Sequence, residues 1–224
     1  MKKTLILCAA LALAAIASAQ VATEANKGYQ TAAGRKSVAR GLSDPARDET
    51  LRPGQLLNEM GLKPGMKVAD VGTGVGYMLP FLSKRVGPDG HVIAEDIAPD
   101  FLATARQKVE TLGLTNVSFD QGTETDPKLP EGQLDEVLAL DVYHHFNYPS
   151  KMLAGIYQAL RPDGRLIIVE YYKRPNAMPN GMAMTHIRLD MPDVIKEVEA
   201  NHFHLIEEKE RLRDVQYMLI LVKN

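Results

Sequence analysis

The chain has 224 residues, of which 45% are hydrophobic and 24% are charged, and its formal net charge at pH 7 is −2. Its charges are spread without long runs of one sign, which argues against a DNA or RNA partner. The chain has no internal repeat, and its length fits one domain whose core buries about 70% of the unfolded surface.

The first 19 residues have the pattern of a cleavable secretory signal peptide. Lys2 and Lys3 precede an apolar stretch at 5–16 that is too short to span a bilayer, and an A-x-A site ends at Ala19. We expect cleavage after Ala19, a periplasmic or secreted protein, and no stable membrane anchor; the alternative is that the segment is retained as an anchor. Cleavage would also remove Cys8, the only cysteine.

The next segment, residues 20–52, is polar, alanine-rich and weakly patterned. We therefore expect a loose N-terminal arm or lid with one short helix, followed by the main domain at 53–224. A helix should begin at Pro53 and end at Gly61, because proline suits the first helical turn and glycine the position just past the last.

From residue 67 onward, strand and helix patterns alternate. They predict strands at 67–71, 91–96, 117–121, 134–140 and 165–171, helices at 77–86, 100–112, 151–160 and 191–200, and a turn at Pro162, Asp163 and Gly164. Apolar runs such as VLAL and LIIV favour parallel strands buried on both faces. The tail HLIEEKERLRDVQYMLILV contains two extended runs with a short connection, which requires an antiparallel hairpin.

A glycine-rich turn follows the first predicted strand. Gly72, Gly74 and Gly76 stand at every second position, whereas the dinucleotide-binding fingerprint places its third glycine where this chain has Tyr77. Asp96 ends the second strand, where a carboxylate can accept hydrogen bonds from both hydroxyls of a ribose. The alternative is that Asp96 caps the helix that follows it.

Four segments in order, VADVGTGVGYM, AEDIAP, LDEVLALDVYHHF and LRPDGRLIIVE, resemble the motifs of class I S-adenosylmethionine-dependent methyltransferases. The resemblance extends from about Arg52 to the C-terminus. It implies an α/β fold with a Rossmann-like, doubly wound sheet of seven strands, mostly parallel with an antiparallel C-terminal hairpin strand. It also implies S-adenosyl-L-methionine as the cofactor and methyl transfer as the reaction.

The same resemblance implies a set of cofactor contacts. The Asp70 side chain and the turn at 72–76 should approach the methionine part, Asp96 should hold the ribose, and Ile97 should lie along the adenine. Asp70 could instead only cap the turn. Many relatives have an aspartate near the adenine where this chain has Thr123 and Glu124. The full candidate set is Asp70, Gly72, Thr73, Gly74, Gly76, Asp96, Ile97, Thr123, Glu124 and Asp141.

Methyl transfer from a sulfonium is an in-line displacement, so it requires positioning and desolvation and, for some acceptors, a base. His144 and His145 follow the fourth strand and are the candidate catalytic bases. Because they are neighbours, we expect at most one to face the acceptor; the alternative is that one packs inside and the other is solvated. Two adjacent histidines without a thiol or an HxH pattern are a poor ligand set, so no metal is expected.

Residues for a small-molecule acceptor are also indicated. Tyr171 and Tyr172 end the fifth strand beside Glu170, and the segment KRPNAMPNGMAMTHIRLD is typical of an adaptable apolar lid that carries His186 and Arg188. The alternatives are an ordinary strand end and a surface loop. DVYHHF followed by an apolar lid is similar to methyltransferases that act on quinones and other small lipophilic molecules. The candidate acceptor contacts are Tyr143, Tyr171, Tyr172 and His186.

Two other functions compete with methyl transfer. S-adenosylmethionine is made in the cytoplasm, so an exported chain with this site could be a binding protein for an adenosyl compound without turnover. A nicotinamide dehydrogenase is disfavoured by the glycine spacing and the terminal hairpin. The sequence leaves the acceptor and the oligomeric state open.

Overall fold

The computed structural model describes residues 21–224, so the predicted signal peptide lies outside the described residues. Its centre is a seven-stranded sheet in the order β3-β2-β1-β4-β5-β7-β6. The strands are β1 Lys67–Val71, β2 His91–Asp96, β3 Val117–Gln121, β4 Leu134–Leu140, β5 Leu160–Tyr171, β6 Phe203–Leu212 and β7 Gln216–Lys223. The predicted strands and the C-terminal hairpin are confirmed.

The strand directions confirm the predicted fold class. β1 lies between β2 and β4 and is parallel to both, whereas β7 is antiparallel to both β5 and β6. The strand order reverses at β1, because the chain goes to one side through β2 and β3 and returns to the other side at β4. In open α/β sheets, the crevice at such a reversal is where ligands bind.

Helices cover both faces of this sheet, and each face has its own large apolar cluster. The helices are α1 Ala32–Leu42, α2 Arg47–Leu51, α3 Pro53–Met60, α4 Leu79–Val86, α5 Pro99–Thr111, α6 Pro149–Ala159, α7 Ala183–His186 and α8 Met191–Glu199. All seven residues of β4 are buried, as expected for a central strand between two helical layers. No helix within residues 21–224 is long and apolar enough to cross a membrane.

The expectation of a loose arm before Pro53 is wrong. Residues 21–52 contain a short 3₁₀ helix, Ala25–Tyr29, followed by α1 and α2. α1 has no fully buried residue, which explains its weak sequence pattern, but Tyr29, Val38 and Leu42 pack against a small buried cluster around Phe101. This tertiary contact, rather than local periodicity, holds the segment in place.

The turn expected at Pro162, Asp163 and Gly164 lies within the continuous strand β5. Pairing of β5 with β4 passes from Leu134↔Leu160 to Glu136↔Arg165, so five positions on β5 match two on β4. Residues 161–164, which include the expected turn, have no partner on β4, so the extra positions form an irregularity of the ladder.

Arg211 joins the N-terminal helices to the C-terminal hairpin. Its guanidinium donates hydrogen bonds to the Leu51 carbonyl oxygen (2.9 Å), Glu59 Oε2 (2.8 Å) and Gln216 Oε1 (2.6 Å). Arg211 therefore connects the ends of α2 and α3 to the C-terminal hairpin, β6 and β7, at the edge of the sheet.

Candidate functional site

A cavity of about 370 Å³ opens at the carboxyl ends of β1, β2 and β4. Ten of the sequence-predicted site residues line it, and they come from these strands, from the loops that follow them and from the loop after β3. They are Asp70, Gly72, Thr73, Gly74, Asp96, Ile97, Thr123, Glu124, Asp141 and His145. The structure therefore brings most of the predicted cofactor set to one place.

Glycine is required at two positions in the turn after β1, because each has a positive φ and leaves no space for a Cβ atom. Gly72 has φ +66°, and a Cβ atom there would lie 2.2 Å from Val142 Cγ2. Gly76 has φ +75°, and its Cβ would lie 3.0 Å from the Cβ of Ala105 on α5. Gly76 does not line the cavity, so its expected cofactor contact is replaced by close packing of the turn against a helix.

The carboxylate of Asp96 is held by backbone groups at the wall of the cavity. Oδ2 accepts a hydrogen bond from the Gly74 N–H (2.9 Å), and Oδ1 accepts one from the Ala98 N–H (2.8 Å). The residue that caps α5 is Ala98, without a side-chain cap, so Asp96 is not the helix cap. Asp96 thus fixes the glycine turn while each oxygen retains a second lone pair for a ligand.

Several carboxyl groups are buried at this end of the cavity, and burial favours their neutral forms. Burial raises the pKa of Asp70 to about 7, although the 2.7 Å hydrogen bond from Thr73 Oγ1 opposes the shift. Burial likewise raises the pKa of Glu95 to about 8 and that of Asp141 to about 7.

Sequence reasoning missed Glu95, whose Oε2 accepts a hydrogen bond from the Gly72 N–H (3.2 Å). Its position directly after the apolar run at 92–94 and next to Asp96 was the available signal.

The two predicted catalytic histidines differ in their access to the cavity. They lie in a 3₁₀ turn, Tyr143–His145, directly after β4. His144 is only 4% exposed and does not line the cavity, and its Nδ1 lies 2.6 Å from Glu170 Oε2. His145 lines the cavity, and its Nδ1 lies 2.8 Å from Asn26 Oδ1.

Only His145 lines the cavity, as expected for at most one of the two neighbours, but the two rings still lie close together. A 3₁₀ helix has three residues per turn, so adjacent side chains diverge by about 120° rather than taking opposite sides as in a strand. The rings of His144 and His145 are 4.0 Å apart, and the ring of His186 lies 4.8 Å from the first and 5.2 Å from the second. Burial lowers the pKa of all three imidazoles, which favours their neutral forms.

Three of the four predicted acceptor contacts are tyrosines, and none of them lines the cavity. Tyr143 is buried, and its hydroxyl donates to Glu197 Oε1 at 2.6 Å. Tyr172 packs on Tyr217 with ring centroids 5.1 Å apart. Tyr171, like Tyr172, lies at the end of β5 outside the cavity wall. Strand β5 is next to β4 but one position farther from the reversal point, and its end is filled by protein side chains.

The segment 173–190 does not provide the expected apolar lid, because none of its residues lines the cavity. Met182 and Met184 are each 46% exposed. Arg188 is held by Glu197, whose Oε2 accepts a 2.9 Å hydrogen bond from Nη1. His186 does not line the cavity and instead packs beside His144 and His145.

The N-terminal segment, for which an arm or lid is the expectation, covers the cavity. Asn26, Tyr29, Arg35 and Arg47 are among the lining residues, and the Tyr29 ring lies 4.6 Å from the ring of His145. Arg35 forms a 2.8 Å ion pair with Asp100 at the start of α5. Sequence reasoning named none of these residues, because no local pattern connects them with a site assembled about 100 residues later.

The strand order and the cavity at the reversal point, beside the acidic residue that ends β2, define a Rossmann-like fold. The model of the family described as "Methyltransferase domain" matches residues 62–217. The chain therefore belongs to the methyltransferase domain family, as a class I S-adenosylmethionine-dependent methyltransferase, and S-adenosyl-L-methionine is the cofactor that this membership implies.

Individual proteins agree with this assignment. A solved S-adenosylmethionine-dependent methyltransferase from Aquifex aeolicus is 30% identical, with a TM-score of 0.77, covering 84% of this chain and 98% of its own. The ubiquinone/menaquinone biosynthesis C-methyltransferase of Vibrio campbellii is 31% identical over 114 residues, which are 50% of this chain and 44% of that protein. The match thus spans less than half the length of such curated relatives.

A third similarity concerns the fold alone. The [4+2]-cyclase SpnF superposes with a TM-score of 0.64 at 15% identity, covering 76% of this chain and 79% of its own. Because that protein is named as a cyclase, the fold by itself does not specify the reaction.

Proposed function

We propose that this chain transfers a methyl group from S-adenosylmethionine to a small, lipophilic acceptor that binds in the cavity beside His145. The single observation that carries the proposal is the cavity itself, which combines the Gly72 turn, the Asp96 carboxylate and His145. In-line transfer requires that cofactor and acceptor be held in contact and away from water, and a cavity covered by the N-terminal segment suits both needs.

The charges of the cavity support a cationic cofactor. Asp70, Glu95, Asp96 and Asp141 line it, opposed by Arg35 and Arg47, and each of these arginines is close to a carboxylate. S-adenosylmethionine carries an ammonium group and a sulfonium, which would supply the countercharge that the buried carboxyls lack.

The remaining lining supports an apolar acceptor. Leu42, Phe101, Leu140, Phe146 and Met152 contribute hydrocarbon surface to the same cavity. The curated relatives that match half of this chain are named as C-methyltransferases of ubiquinone and menaquinone biosynthesis. We therefore place quinones and phenols first among candidate acceptors.

We also propose that the chain is exported, with cleavage after Ala19 releasing a mature protein that starts at Gln20. The basic, apolar and small-residue pattern of residues 1–19 supports this. It also favours the second candidate function, a binding protein for an adenosyl compound, because no cytoplasmic cofactor supply is then at hand.

The first test is calorimetric titration of the mature chain with S-adenosylmethionine and, separately, with S-adenosylhomocysteine. Saturable binding of both, followed by methylation in an acceptor screen, is the expected result. Binding of both without methylation of any quinone or phenol would favour the binding protein. Absence of both, in folded protein, would refute the proposal.

Replacing Asp96 by alanine should weaken cofactor binding by about 1–3 kcal/mol, because the ribose hydroxyls and the Gly74 N–H lose their acceptor. Asp96→Asn retains one oxygen and should lose less. Both affinities are measured by the same titration. Equal affinity of the wild-type chain and Asp96→Ala would contradict the ribose role.

The affinity for S-adenosylmethionine should rise with pH. The pKa of Asp70 is raised to about 7 in the free protein, and a bound cation would favour its charged form, so binding releases a proton. We expect up to about a tenfold gain between about pH 6 and pH 8. S-adenosylhomocysteine carries the same ammonium group and should gain to a similar extent, and an affinity that is independent of pH for both ligands would argue against this role of the carboxyl.

A further inference from the structure

We propose that His144, His145 and His186 bind one zinc ion at the edge of the cavity. The three imidazoles offer one ligand atom each, and these atoms lie within 4.8 Å of one another. His144 and His145 come from the turn after β4, and His186 comes from the end of α7, so the group is assembled only in the folded chain.

The unpaired ring nitrogen of His144 favours a bound metal ion. Its Nδ1 is bonded to Glu170, whose Oε2 also accepts a hydrogen bond from the His144 backbone N–H (3.2 Å). Its Nε2 is buried and has no hydrogen-bond partner. A buried polar atom without a partner is unfavourable, and a metal ion bound at Nε2 would satisfy it. A carboxylate behind the distal nitrogen is the usual support of a zinc-binding histidine.

The tautomer of His145 also favours metal binding. It is assigned from the hydrogen bonds between His145 and Asn26. The amide nitrogen of Asn26 donates to the His145 carbonyl oxygen at 2.9 Å, which fixes the orientation of the Asn26 amide. The Asn26 oxygen therefore faces His145 Nδ1 at 2.8 Å, and Nδ1 must carry the proton. His145, like His144, thus presents Nε2 as a lone pair for a ligand.

The spacing of the three ligand nitrogens is also close to that of a zinc site. Nitrogen ligands at about 2.0–2.1 Å from a tetrahedral zinc ion lie about 3.4 Å from one another. In the structure the ligand atoms of the three histidines lie within 4.8 Å of one another, so zinc binding requires a side-chain movement of about an ångström or two. Side-chain rotation of half-buried His186 can supply that movement. Among the divalent ions commonly available to proteins, zinc suits a set of imidazole ligands that contains no carboxylate or thiolate.

Three protein ligands leave a fourth position open, which is the arrangement of catalytic rather than structural zinc. His145 lines the cavity, so the open position would lie at the cavity edge, where an acceptor oxygen could bind. His145 would then act as a ligand and not as a proton acceptor. This last step rests on the proposed methyl transfer, whereas metal binding itself does not.

The test is calorimetric titration of the mature chain with zinc chloride, without cofactor or acceptor. We expect one ion per chain in the wild type and a visible spectrum typical of four-coordinate cobalt when Co²⁺ replaces zinc. His186→Gln removes a half-buried ligand and should weaken zinc binding by about 100-fold or more. The exposed His204, which is 64% accessible, provides the matched control, and His204→Gln should bind as the wild type does.

Asn26 tests the supporting hydrogen bond. Asn26→Ala should lose about 10- to 100-fold in zinc affinity, and Asn26→Asp, which keeps an oxygen acceptor, should recover most of it. Circular dichroism of each variant verifies folding. Absence of zinc binding by the wild type, or equal affinity of His186→Gln and His204→Gln, would overturn the proposal. Because no cofactor is present, failure of methyl transfer would not affect either outcome.

Discussion

The variant His145→Gln should lose methyl transfer by at least about 100-fold while its affinity for S-adenosylmethionine stays within about twofold of the wild type. His145 is the member of the histidine group that lines the cavity, so it is the one placed to act on an acceptor. Loss of a proton acceptor costs about 10²- to 10⁴-fold in rate, and loss of a zinc ligand beside the acceptor would be of similar size. Single-turnover methylation and calorimetry measure the two quantities.

The two roles of His145 make different predictions in the wild-type protein. A zinc ligand makes turnover sensitive to removal of metal by a chelator, with recovery on adding zinc, whereas a simple base makes it insensitive. His204→Gln is again the matched control and should retain full activity. Undiminished turnover of His145→Gln would remove this residue from the reaction under either role.

The parts of the fold that the sequence predicted are those fixed by local pattern. The strands β1 to β4 and the glycine turn follow from apolar runs and from backbone conformations that only glycine adopts readily, such as φ +66° at Gly72. The position of Asp96 follows from the rule that ligands bind at the carboxyl ends of strands. These features need no knowledge of what packs against them.

The features that the sequence did not predict depend on contacts between distant segments. Tyr29 and Asn26 reach the site because residues 21–52 fold back over it, and their side chains pair with His145, more than 100 residues later. The approach of His186 to His144 is of the same kind. Neither contact leaves a periodic signal in the sequence, and the lid expected at 173–190 rests on composition alone.

Replacing Arg211 by methionine should lower the free energy of unfolding by about 3–5 kcal/mol. The Arg211 side chain is 1% exposed and pairs with Glu59. Its removal leaves that carboxylate, the Gln216 amide oxygen and the Leu51 carbonyl without their donor. Methionine retains most of the hydrocarbon volume, so the loss reports the polar contacts. Chemical denaturation of the mature chain measures it.

Arg213 is the matched control because its side chain is 92% exposed in the same hairpin, and Arg213→Met should change stability by less than about 0.5 kcal/mol. Equal losses in the two variants would contradict the anchoring role of Arg211. The comparison also bears on function: Arg211 holds the end of α2, and α2 carries Arg47 to the cavity. We therefore expect Arg211→Met, but not Arg213→Met, to bind S-adenosylmethionine more weakly even where both remain folded.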